Sequence, residues 1–129
     1  MTDRISTYRP QELALLRIVS ALLFVHVGIQ LLFGWPASTY PAPPAEMSTL
    51  LTVAGVLELV GGLLLLIGLF TRVTAFVLSG MMAVAYWGFH FPMNPWPANN
   101  MGAAAILFCF VFLYLFVAGP GAWAIDNGR

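Results

Sequence analysis

The sequence contains no lysine, a single cysteine and only 8% charged residues. Each scarcity removes a class of function. One thiol, Cys109, cannot form an intramolecular disulfide, which excludes the dithiol chemistry of four-helix membrane enzymes such as the vitamin K epoxide reductase type. The formal net charge of zero gives no electrostatic basis for nucleic-acid binding. No P-loop, strand-linked GxGxxG, GxSxG or HExxH occurs, so nucleotide, serine-hydrolase and zincin readings have no support. A soluble domain of this size needs more polar surface than 8% charge provides.

What is present is apolar: 60% of residues are hydrophobic, gathered in four runs, Leu13–Phe33, Leu50–Phe70, Val73–Phe91 and Met101–Ala118. Each is about the ~20 residues that cross ~30 Å of hydrocarbon at 1.5 Å per residue. All nine prolines lie outside these runs. Pro10 precedes the first, Pro36, Pro41, Pro43 and Pro44 fill the first loop, Pro92, Pro95 and Pro97 the third, and Pro120 stops the last run. The expected fold is all-α: an integral membrane antiparallel four-helix bundle, one domain over 1–129, with helices about 11–34, 47–70, 72–91 and 99–118. The first run is longer than a signal-peptide core and lacks a small-x-small cleavage site, so it is read as a retained helix.

Arginine sets the expected orientation. Arg4, Arg9, Arg17, Arg72 and Arg129 all fall on one side, and loops 1 and 3 have no basic residue. The positive-inside rule then puts both termini in the cytoplasm. Trp35, Tyr40 and Trp96 are expected to anchor the outer interface, and Tyr8 and Trp123 the inner one.

Polar residues inside a bilayer are costly and tend to face a bundle interior or a cavity. The candidates are Arg17, His26, Glu58 and His90, with Gln30 beside them. Counting 1.5 Å per residue puts Glu58 near the midplane, His26 roughly 5 Å outward, and Gln30 and His90 roughly 10–12 Å outward. Asn94, Asn99 and Asn100 stand just above. Small residues Ala54, Gly55, Gly61 and Gly62 surround Glu58 at i±3 and i±4, which marks a face of close helix approach. His26 and Gln30 share one helical face, and Ser79, Ala83, Tyr86 and His90 another. The expectation is one outer-half cleft with His26, Gln30, Tyr86, His90, Asn94, Asn99 and Asn100 as ligand-binding residues and Glu58 as a proton relay. The alternative is that these groups only bond the helices together. Arg17, nine residues from His26 and so on the opposite face, is expected to snorkel as a topology anchor, paired with Asp126.

A mostly apolar cleft with a few polar groups suits a lipophilic molecule with a polar head. A quinone fits, since its carbonyls accept hydrogen bonds and its reduction consumes protons. Haem is not expected: the two histidines differ in depth by roughly 6 Å, a poor match for opposite axial ligands. No close-spaced ligand pair supports zinc, so no metal is expected.

Four stretches carry a family resemblance: LLRIVSALLFVHVGIQLLFGW (15–35), LELVGGLLLLIGLFTRVTA (57–75), the His90–Pro92 region with its following Asn pair, and GPGAWAID (119–126). The chain resembles the DoxX family of small four-helix bacterial membrane proteins over nearly its whole length. It departs from the pattern at His26, one place early, at apolar Leu31, and at Asn99–Ala103, where many members carry Asn-Gly-Gly-Glu. The family takes its name from a subunit of a thiosulfate:quinone oxidoreductase. The resemblance implies a redox-linked subunit of the bacterial inner membrane; taken with the cleft, the expected contacts are lipid, a lipophilic small molecule and a redox partner protein. Self-association and a non-catalytic accessory role both stay open.

Overall fold

The computed structural model describes residues 2–128; Arg129, one of the arginines counted above, lies outside them. A short helix α1 (Thr2–Ser6) precedes α2 (Arg9–Phe33). A 3-10 turn at Ala45–Met47 leads into α3 (Ser48–Ile67). Helix α4 (Thr71–Ala85) runs on through a π turn at Tyr86–His90. A four-residue helix α5 (Pro97–Asn100) then precedes α6 (Ala103–Ala118).

The four long helices pack as an antiparallel bundle in chain order: α2 against α3, α3 against α4, and α4 against α6. Where α2 meets α6 the contact is made by rings, Phe24 standing edge-on to Phe108 and Phe112 at 4.9 and 4.7 Å. The α2–α3 seam is tight because glycines line it. A Cβ on Gly28 would sit 2.7 Å from the Leu59 backbone nitrogen, and one on Gly62 would sit 3.0 Å from that of Val25. This is the close approach expected of small-residue interfaces in membranes. The outward faces carry Leu, Val and Phe: Val19, Leu22, Leu107, Phe110 and Val117 are all more than half exposed. Such a belt would be an aggregation surface in water and is a solvated surface in lipid.

Helices α2, α3 with its leading turn, and α4 with its π turn are each long and apolar enough to span a membrane. The fourth is shorter than expected. Its start moves from 99 to Ala103 because Met101 adopts a left-handed conformation (φ 58°) and separates α5 from α6. Sixteen residues give about 24 Å of helix. The first helix is preceded by α1, which hydropathy did not signal. Tyr8, Trp35, Tyr40, Trp96 and Trp123 are all exposed near the ends of the bundle.

The end that carries the termini is closed by the C-terminal segment. After Gly119, the chain folds back under the bundle: Ala122 N–H donates to Pro10 O, and Asp126 N–H to Gly68 O, both at 2.9 Å. The Asp126 carboxylate accepts from the backbone N–H groups of Phe70 and Thr71, each at 2.9 Å. It therefore caps α4 from a distant part of the chain, meeting the orphan donors and positive end of that helix.

Arg17 completes this closure and does not snorkel. It is fully buried. One terminal nitrogen donates to Pro120 O and, at 3.1 Å, to Ala122 O; the other donates to Trp123 O at 2.9 Å. Its hydrogen-bond partners are thus three carbonyls of the C-terminal segment, while the Asp126 carboxylate caps α4 and acts on Arg17 as a nearby charge. The snorkelling expectation fails because the C-terminal segment covers the route to the interface.

Candidate functional site

Glu58 lies in the middle of α3, where glycines on both sides bring α2 and α4 close. Only 7% of its surface is exposed, and its Oε2 atom has no hydrogen-bond partner among the described residues. An unpaired buried carboxyl oxygen costs about 1–3 kcal/mol, so its retention calls for an explanation.

The carboxyl lines a cleft of about 280 Å³ between α3 and α4. His90 stands in the same cleft, toward the end that carries loops 1 and 3. The remaining wall is apolar and includes Leu51, Ala54, Met81, Met82 and Phe89. These methionines and leucines have no sequence motif; only the meeting of α3 with α4 marks them as lining. Flexible methionines suit a wall that must adapt to its contents.

His90 reaches this cleft because α4 changes winding. In a continuous α-helix Tyr86 and His90 would share one stripe. The π turn, closed by the Phe91 N–H to Tyr86 O bond at 2.9 Å, rotates that register while keeping the two rings stacked, 6.4 Å apart. Tyr86 and Ala83 line a separate hollow beside Cys109 of α6, while His90 lines the cleft by α3. The expected common face of Ser79, Ala83, Tyr86 and His90 thus holds in part: the Tyr86 and His90 rings are stacked 6.4 Å apart but border different hollows. Ser79 Oγ donates to Cys109 O at 2.8 Å, joining α4 to α6.

His26 does not enter the cleft. It is exposed on the outside of α2, beside Leu22, Val25, Trp35 and Pro36. The buried stripe of α2 runs Ala14, Arg17, Ala21, Phe24, Gly28. His26 is two residues from both Phe24 and Gly28, about 200° around the helix at 3.6 residues per turn. Gln30 is also absent from the cleft; its Nε2 donates to Pro36 O at 3.0 Å and holds loop 1.

The asparagines organise loop 3. Asn100 is fully buried: its Nδ2 donates to Asn94 O at 2.9 Å and, at 3.4 Å, to the Tyr86 hydroxyl, and its Oδ1 accepts from Gly102 N–H at 2.8 Å. Its backbone carbonyl lies 2.8 Å from His90 Nδ1. Asn94 Oδ1 accepts from Trp96 N–H at 2.9 Å, and Asn99 is exposed. Of the predicted site residues, then, the structure brings Glu58 and His90 together, puts Asn100 and Tyr86 behind His90, and leaves His26, Gln30, Asn94 and Asn99 elsewhere.

A small bundle of apolar helices with a lipid-facing belt and one intramembrane carboxyl in a cleft defines a helical integral membrane protein. The chain belongs to the DoxX family, which residues 13–91 match. It is 41% identical over 128 residues to an uncharacterized protein of Haemophilus influenzae, covering 97% of this chain and 96% of that one. It is 29% identical over 112 residues to the inner membrane protein YqjF of Escherichia coli, covering 86% of each. No solved structure matches the chain.

Proposed function

We propose that this protein is a quinone-interacting subunit of a membrane oxidoreductase, resident in the cytoplasmic membrane with both termini inside. The observation that carries the reading is Glu58: an almost wholly buried carboxyl group, one oxygen unpartnered among the described residues, lining an apolar cleft that it shares with His90. A cleft of about 280 Å³ is just below the ~300–1,000 Å³ usual for a drug-sized ligand. It has room for a ring-sized head group, with a hydrocarbon tail left in the lipid. Glu58 would relay a proton between the ring and a partner. The inner-membrane name of the Escherichia coli relative supports the location. No recognised electron-carrier motif occurs in residues 1–129, and electrons would come from a partner protein.

The test is thermal unfolding of the purified protein with a short-chain quinone supplied in oxidised and in reduced form. Ligand at 100 times its Kd stabilises the folded state by about 2.7 kcal/mol, which is readily seen as a rise in Tm. The rise should shrink in Glu58→Leu. If neither form raises the Tm of well-folded wild type, the quinone reading fails for this chain and a non-catalytic accessory role takes its place.

A further inference from the structure

The hydrogen-bonding polarity of the cleft can be read from His90. Its Nδ1 lies 2.8 Å from the Asn100 carbonyl oxygen. A carbonyl only accepts, so Nδ1 carries the hydrogen and donates. A neutral imidazole has one N–H, so Nε2 is left as a lone-pair acceptor. The tautomer is fixed firmly, because the Asn100 carbonyl cannot swing away: its side chain is fully buried and held by Asn94, Gly102 and Tyr86. Nε2 itself has no partner among the described residues.

The second polar group of the cleft is the Glu58 carboxyl, whose buried Oε2 is also unpartnered among the described residues. The rest of the wall is leucine, methionine, alanine, valine and phenylalanine, none of which has a side-chain donor. Gln30 and Asn100 do not line the cleft; their amide groups donate to Pro36 O and within loop 3 respectively. Side chains on a helix tilt toward its N-terminus. Since α3 and α4 are antiparallel, Glu58 leans toward the level of His90, and His90 leans back toward Glu58.

We propose that the cleft takes its ligand in the reduced, hydroxyl-bearing form, a dihydroxybenzene (quinol), with a ring hydroxyl donating to His90 Nε2. This rests on the quinone reading of the same cleft and adds which redox form it selects. An oxidised quinone has only acceptor oxygens and would set a carbonyl lone pair against that of Nε2. Glu58 can donate when it carries its own proton, so the discrimination falls on His90.

The probes are an alkyl-substituted hydroquinone, its dimethyl ether and the matching benzoquinone, titrated anaerobically against the full chain in detergent. The hydroquinone should bind at least tenfold more tightly than either of the others, since the ether keeps the ring but has no donor. In His90→Phe, which keeps the ring bulk, the three should fall within about threefold of one another. Equal or tighter binding of the quinone to wild type overturns the inference and leaves the quinone reading standing. Binding of none of the three overturns both. Should His90→Phe fail to fold, the ether comparison in wild type decides alone.

Discussion

Arg17 and Asp126 show how two charged side chains can each hold a distant backbone. Arg17 satisfies three carbonyls of the C-terminal segment, and Asp126 satisfies two N–H groups at the start of α4. Replacing a capping carboxylate by alanine costs about 0.5–2 kcal/mol, so Asp126→Ala should lower stability by that amount in a denaturation assay. Arg17→Met should cost more, at least about 2 kcal/mol, because it leaves buried acceptors unpaired. Both variants should keep wild-type affinity for a cleft ligand, since neither residue lines the cleft. A stable Arg17→Met protein that had lost ligand binding would place the site at the wrong end of the bundle. Glu58 is the opposite case: its unpaired oxygen stabilises nothing visible in the fold, which is why function is sought there.

Among the elements, the α2–α3 seam and the π turn decide what the cleft looks like. The seam tolerates no side chain at Gly28, where a Cβ would meet the Leu59 backbone at 2.7 Å. Gly28→Ala should therefore destabilise by about 1–3 kcal/mol through overpacking. Gly80 is the control: a Cβ there meets nothing within 4 Å. Since alanine is favoured over glycine by about 1 kcal/mol inside a helix, Gly80→Ala should be neutral or stabilising. Thermal melts of the two variants side by side check this, and a Gly28→Ala protein as stable as Gly80→Ala would mean that the seam is looser than drawn. The π turn was not legible beforehand, because Tyr86–His90 has the composition of an ordinary helix end. Within it His90 borders the α3 cleft and Tyr86 the hollow beside α6, while their rings stay stacked.

For the whole molecule, the arginine asymmetry predicts that loops 1 and 3 face the periplasm. In a Cys109→Ala background, Thr39→Cys and Ala98→Cys should react with an impermeant thiol reagent added to intact cells. The background is mild because Ser79 bonds the backbone carbonyl of residue 109, which alanine keeps. Protection of both sites, while exposed control sites react, would invert or discard the topology. The two ends also differ in construction. The terminal end is locked by the C-terminal segment, and the other end is a loop network around Asn100 that backs His90.

Composition and hydropathy alone determined the fold class, because a helix in lipid must satisfy its own backbone and cover itself with apolar side chains, and both demands are written locally. The small residues around Glu58 likewise announced that it faces inward. Helical phase was also readable: Arg17 and His26 do lie on opposite faces of α2. Which of those faces turns inward was decided by tertiary packing. The Gly28 seam and the C-terminal carbonyls draw the Arg17 face inside and leave His26 outside, a reversal that depth counting could not detect. The same holds for the asparagines, whose roles depend on the left-handed turn at Met101. Periodicity fixes the angles between residues on one helix. Only the neighbours of that helix fix where the angle starts, and here those neighbours include a segment about a hundred residues further along the chain.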